Sequence, residues 1–306
     1  MTQTKLISAT LFGALTADAA AMGVHWIYDV ARLEEIAAAH DDVAFLPPDP
    51  DHYENVPSFF AHEGKEAGTL SHYGAAFAGL MHYLAQTETP GAETYADAFA
   101  RAFGPGGMFS GYIDRPTREA LGNIATGVQP SGGADDQLPA LVPAIAMAHM
   151  GAARWLPLQQ ITHDNLLARD AGILVAGILR EVQAGGDLHH VLSEAATHAP
   201  DPFGAPLRQA LTTDVYDSVA YGEVTGRACA LIQGLPLAFH ILHQAEDFAG
   251  AIRRNILAGG DSCGRALVIG AVMGAAHGVE HIPLDWALRL ENGHDLWRLS
   301  KTLASC

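Results

Sequence analysis

Apolar positions recur at helical spacing along most of the 306-residue chain. Ile7, Leu11 and Leu15 step by four and predict a first helix. The same period predicts helices over 71–86, 92–103, 117–126, 137–152, 165–184, 188–197, 228–244, 247–258, 265–278 and 284–303. The breaks carry glycine and proline: Gly104-Pro105-Gly106-Gly107, Pro130-Ser131-Gly132-Gly133, Gly185-Gly186 and Gly259-Gly260. β-Branched runs are few, and no pair of alternating segments predicts a hairpin. No repeat, low-complexity tract or linker divides the pattern. The expectation is an all-α fold with a single domain over 1–306.

One segment departs from this pattern. Residues 41–68 hold Pro47, Pro48, Pro50 and Pro57 together with Phe45, Tyr53, Phe59 and Phe60. A loop of that length inside a compact domain needs a reason. Its aromatics give two: it covers the core, or it packs over a pocket.

Composition narrows the function. Apolar residues make up 49% of the chain and charged residues 17%, enough for a large core. The formal charge of −17 opposes nucleic acid and acidic membrane surfaces as partners. It leaves room for a small-molecule partner, a phosphorylated one included. The longest uncharged apolar stretch, 266–279, is too short to span a bilayer. The first residues lack the layout of a secretory signal. Cys229, Cys263 and Cys306 are odd in number and widely spaced, which disfavours a disulfide framework and fits a reducing cytoplasm. The pattern does not specify an oligomeric state.

Three stretches carry a family resemblance. Gly13 to Gly23 reads GALTADAAAMG, with Asp18 on the first helix. Gly68-Thr69-Leu70-Ser71-His72-Tyr73-Gly74 precedes a helix rich in small residues. Gly259-Gly260-Asp261-Ser262-Cys263-Gly264-Arg265 runs into a helix whose Gly270, Gly274 and Gly278 recur every fourth position. In this order they resemble the ADP-ribosylglycohydrolases, a family that includes lens crystallins. Two weaker echoes lie between them, at Thr162-His163 and at Gly133-Ala134-Asp135-Asp136-Gln137. The resemblance implies an orthogonal helical bundle with its site at converging helix ends. It also implies cleavage of an N- or O-glycosidic bond to ADP-ribose, assisted by two magnesium ions. The chain departs from the family where the metal binds. Ser71, His72, Tyr73 and Gly74 stand where the family has Thr-Asp-Asp-Thr. Cys263 replaces the second aspartate of Gly-Gly-Asp-Thr-Asp-Thr.

The residue chemistry supports a modified site. A magnesium pair needs several convergent oxygen ligands. Asp18, Ser71, Asp261 and Ser262 are a thin set, so no resident cofactor is expected. His72 with Cys263 would suit a softer metal. Asp18, among alanines, is either a pocket carboxylate or a cap for a neighbouring helix. His25, seven residues on, can share its face, and Trp26 and Tyr28 offer flat rings for a base or sugar, with Trp26 read as core. Asp261 and the turn before it face a helix N-terminus that favours anions. Cys263 near that terminus is expected to have a lowered thiol pKa and is a candidate nucleophile. Arg265 either pairs with Asp261 or holds an anion. Asp135 and Asp136 are either a cap pair or a source of acid–base chemistry. Tyr73, His72, Ser71, Gln137 and Ser262 complete the candidate substrate contacts. Cys229 carries no readable signal.

Overall fold

The computed structural model describes residues 2–305. The strongest periodic segments become helices with boundaries close to those expected. They begin with α1 (Gln3–Ala21) and, after the short α2 (Val30–Ala39), α3 (His72–Gln86), α4 (Ala92–Phe103) and α5 (Arg115–Ala125). The single helix expected over 137–152 is instead two 3-10 turns around α6 (Val142–Ala146). Pro139 and Pro143 each sit at the start of a turn, where the missing N–H costs nothing, and they prevent one continuous helix. Next come α7 (Ala152–Gln159), α8 (Leu166–Gln183), α9 (Leu188–His198), α10 (Gly204–Thr212), α11 (Ser218–Thr225) and α12 (Leu231–Gln244). The chain then runs through α13 (Phe248–Leu257) into α14 (Ser262–His277). The last expected helix is split into α15 (Leu284–Arg289) and α16 (Gly293–Leu303), because Asn292 turns left-handed at φ 54°. No strand ladder forms among the described residues, only three isolated bridges.

α1 and α14 form the axis of this single-domain bundle and share the most extensive helix–helix contact. Neither has a polar face: 16 consecutive residues of α1 from Leu6, and 14 of α14 from Ser262, are buried. A helix apolar all round belongs in the middle of a large protein. The α1 segment running on to Val24 is long and apolar enough to cross a membrane, with a mean hydropathy of 1.4, yet from Leu6 onward it lies inside the protein. Glycine lets the two axes meet. A Cβ on Gly270 would stand 2.4 Å from the carbonyl oxygen of Gly13, and one on Gly274 would stand 2.2 Å from that of Ala9.

The long 41–68 segment covers the core and reaches the site. Phe45 packs against Trp286 and receives the Arg289 guanidinium on its ring. Tyr53 donates its hydroxyl to the carbonyls of Gly23 and His25. Tyr28 N and Phe59 N bond across to Pro57 and Trp26. The loop thus covers the core, the first of the two uses foreseen, and its Tyr53 also braces the backbone of His25.

Candidate functional site

The end of α1 meets the start of α3 through one carboxylate. Asp18 Oδ2 accepts the Ser71 N–H at 2.8 Å, and Oδ1 accepts the Ser71 hydroxyl at 2.5 Å. Ser71 Oγ in turn caps α3 by accepting the N–H groups of Tyr73 and Gly74. Asp18 thus braces a helix N-terminus, which fulfils the capping alternative. It is wholly buried, and that burial raises its pKa to about 7 against the pull of the Ser71 hydrogen bonds. Gly74 is required here, because a Cβ would fall 2.0 Å from Asp18 Oδ2.

The second carboxylate comes from the glycine turn. Gly259 and Gly260 both have positive φ, and a Cβ on Gly260 would strike the Arg227 carbonyl at 2.1 Å. Paired backbone bonds, Trp26 N to Gly260 O and Gly260 N to Ile27 O, fasten the turn to the end of the α1 segment. Asp261 then caps α14, with Oδ1 accepting the Gly264 N–H at 3.0 Å. The same oxygen accepts His25 Nε2–H at 2.9 Å. That fixes the tautomer: His25 Nδ1 must accept, and His62 Nε2–H donates to it at 2.8 Å. Burial lowers the pKa of His25 and that of His62, so both rings stay neutral. His25 stacks between Trp26, at 4.3 Å, and His62, at 5.1 Å. Asp261 Oδ2 and Ser262 Oγ have no hydrogen-bond partner, although both are buried.

Arg265 does neither of the things foreseen for it. Its guanidinium is buried and clamps the turn from behind, donating to Asn255 Oδ1 at 2.8 Å and to the carbonyls of Arg227, Asn255 and Gly259. Every donor direction it uses ends on the protein, so it is structural. Burial brings its pKa down to about 10.

Cys263 also departs from expectation. It lies beyond the α14 N-cap as foreseen, but burial first, then Asp18 and Asp261, push its thiol well above the ordinary range. The helix terminus does not offset burial and two nearby carboxylates, so a reactive thiolate is not stabilised. Nor does Cys263 pair with His72. One ring nitrogen each of His25 and His62 shares its space, all within 4.8 Å. Cys229, silent in the sequence, lies at the half-buried edge beside Asp261. Burial, aided by that carboxylate, pushes its thiol up to about 12. Tyr28 is half-buried in the same place, its phenol raised by burial and by Cys229.

A second cluster lies beyond Tyr73, whose ring packs edge-on against His25 and Trp26. His72 Nε2 meets Thr117 Oγ1 at 2.9 Å and Asp114 Oδ1 at 3.3 Å. Burial pushes the Asp114 carboxyl up, but His72 and Thr117 outweigh it and hold it at about 2. Asp135 is committed to Arg115, to the Gln137 N–H at 3.1 Å and, more weakly, to Gln137 Nε2. Asp136 is half-buried next to it, close enough to raise the pKa of Arg115. His163 lies 3.8 Å from Asp135, two residues before Asn165, the cap of α8. A cavity of about 20 Å³ lies among His72, Tyr73, Asp114, Thr117 and His163. It has room for one water-sized molecule. His72 Nδ1, Tyr73 OH and His163 Nε2 have no hydrogen-bond partner in the protein.

The sequence brought Asp18, His25, Ser71, Tyr73, Asp261, Ser262 and Cys263 to one place. His62, Asp114, Thr117 and Cys229 were missed. Asp114-Arg115-Pro116 is a helix-start signal that would have found Asp114. His62 has none, because its partner lies 37 residues away on a different element.

The ADP-ribosylglycohydrolase family model matches residues 2–305. The chain belongs to the ADP-ribosylglycohydrolase family. Among curated proteins it is similar to crystallin J1A of Tripedalia cystophora, at 25% identity over 97% of this chain and 95% of that one. Crystallin J1B of the same organism is 26% identical over 94% and 92%. A solved structure titled ADP-ribosylglycohydrolase-related protein complex has the same fold, with a TM-score of 0.75 at 18% identity, covering 99% of this chain and 98% of that one. The magnesium pair that the family resemblance implies does not fit these residues. Asp18 spends both oxygens on Ser71, Asp261 spends one on His25 and Gly264, and His72, Tyr73 and Cys263 are poor magnesium ligands.

Proposed function

We propose that this family member is a hydrolase cleaving an N- or O-glycosidic bond of a ribosylated or nucleoside-like small molecule without a magnesium pair. One observation carries the reading: Asp261 is fixed through Oδ1 by Gly264 and His25 while its buried Oδ2 is unshared. Such an oxygen can stabilise the positive charge that develops on the ribose ring as its glycosidic bond breaks. The neutral His25–His62 pair extends from Asp261 as a line of hydrogen bonds whose protons point toward that carboxylate, so the line can deliver a proton to it. Asp136 supplies the remaining acid–base group. Trp26 and Tyr28 form the base- or sugar-facing wall. Phe59 and Tyr112, packed edge-on against Trp26 and each other, form the cover that must part to admit substrate. Cys229 and Cys263 are free thiols, in keeping with a reducing cytoplasm.

The test is turnover of a panel of ADP-ribosyl and nucleoside substrates in the presence of chelator. Asp261→Asn keeps the cap oxygen and is expected to lower kcat/KM by roughly 10²–10⁴-fold with the fold unchanged. Undiminished turnover in that variant, or turnover that needs magnesium, overturns the proposal.

A second reading rests on closure. Asp18, Ser71, Asp261 and Cys263 are all buried, and the similar curated proteins are named crystallins. A non-catalytic binder or structural protein would turn over nothing in the panel, while a ligand that binds it would still raise its melting temperature.

A further inference from the structure

We infer that His25, His62 and Cys263 form a site for one soft transition-metal ion, zinc in the cell, behind the Asp261 carboxylate. The inference does not need the glycosidase reading, although a bound ion would replace the His25–His62 hydrogen bond that the proton path of that reading uses. Two imidazole nitrogens and a thiol sulfur lie within 4.8 Å of one another, all three side chains buried. This donor set selects zinc-like ions and disfavours magnesium. Zn–N bonds of about 2.0–2.1 Å and Zn–S bonds of about 2.3 Å place donors around one ion roughly 3.4 Å apart. The His25 and His62 nitrogens stand 2.8 Å apart, so they need to open by about half an ångström.

The surroundings also suit an ion. His25 already donates Nε2–H to Asp261, which turns Nδ1 toward the site; a metal-bound histidine is commonly oriented by a carboxylate in this way. The proton that His62 now carries on Nε2, shared with His25 Nδ1, would shift to His62 Nδ1, freeing both facing nitrogens for the ion, and the Cys263 proton would pass to solvent. One thiolate plus the Asp261 carboxylate balances a divalent charge. The ion would also tie His62, on the 41–68 loop, to α14.

The hydrogen-bonded row Asp261–His25–His62 satisfies itself without an ion, so the experiment must detect displacement of that bond. Chelator-treated full-length protein is titrated with Co²⁺ and followed by absorption, then by zinc competition. One equivalent is expected to give a thiolate-to-cobalt charge-transfer band that zinc abolishes. The double variant Cys229→Ser, Cys306→Ser leaves Cys263 as the sole thiol and should keep the band, whereas Cys263→Ser should lose it. His62→Gln should weaken cobalt binding at least tenfold, which keeps the test decisive if Cys263→Ser fails to fold. Zinc, and not magnesium at equal concentration, should raise the melting temperature by roughly 5 °C. Absence of the band, its survival in Cys263→Ser, or an equal effect of magnesium overturns the inference. So does binding without the band, as would occur at the exposed His189–His243 pair, whose nitrogens lie 3.2 Å apart.

Discussion

Asp18 shows how one residue can serve structure at a cost set by pH. In the folded chain its pKa is raised from 3.8 to about 7 by burial, so the fold binds that proton more tightly than the unfolded chain does. Its contribution is therefore fully present below about pH 4 and is lost as pH rises through 7. The displacement corresponds to on the order of 4 kcal/mol. Denaturant unfolding measured from pH 4 to 8 should show stability falling across that window. Asp18→Asn should remove most of the slope, and an unchanged slope would place the titrating group elsewhere. Arg265 teaches a different lesson at the same scale. Its place in the sequence, after a glycine turn, fits an anion site equally well. Only the folded positions of the Arg227, Asn255 and Gly259 carbonyls assign it to holding the turn.

Among the elements, the crossing of α1 and α14 is the most constrained. Gly270→Ala drives a methyl into the Gly13 backbone, which cannot yield as a side-chain tip would. The expected loss is about 3 kcal/mol, or more if the helices must separate. Gly177→Ala, inside α8 with open space where the methyl would go, is the control and should gain about 0.5–1 kcal/mol. Equal effects in thermal unfolding would show that helix propensity, and not the close approach, governs both. The periodic pattern made α1, α3, α4, α8 and α14 legible because each presents many apolar residues at one spacing. It failed at Pro139, Pro143 and Asn292, where a local backbone restriction overrides the period. It missed α2, α7, α10 and α11, which are short and bury few residues. The site was half legible for a related reason. Residues on helix ends carry cap and glycine signals, whereas His62 enters from an irregular loop and its role exists only through contact.

At the scale of the whole molecule, 34 acidic side chains face 17 basic ones. Ion pairs such as Arg253–Asp42 and Arg32–Glu35 relieve little of that excess, and each is partly open to solvent. Self-repulsion should outweigh these pairs. Raising the salt from about 0.01 M to about 0.15 M, which shortens the screening length from about 30 to about 8 Å, is expected to stabilise the protein. The gain should be on the order of 1 kcal/mol, or about 3 °C in calorimetry. A fall in melting temperature over this range would mean that specific pairs dominate the net charge.

The 2.0 Å between a Cβ at Gly74 and the Asp18 oxygen couples two positions on different helices. A side chain at position 74 must push the Asp18 carboxylate aside, and that carboxylate holds the Ser71 cap of α3. Substitutions at Gly74 and at Asp18 are therefore expected to be non-additive: the second should cost less stability once the first has already released the cap.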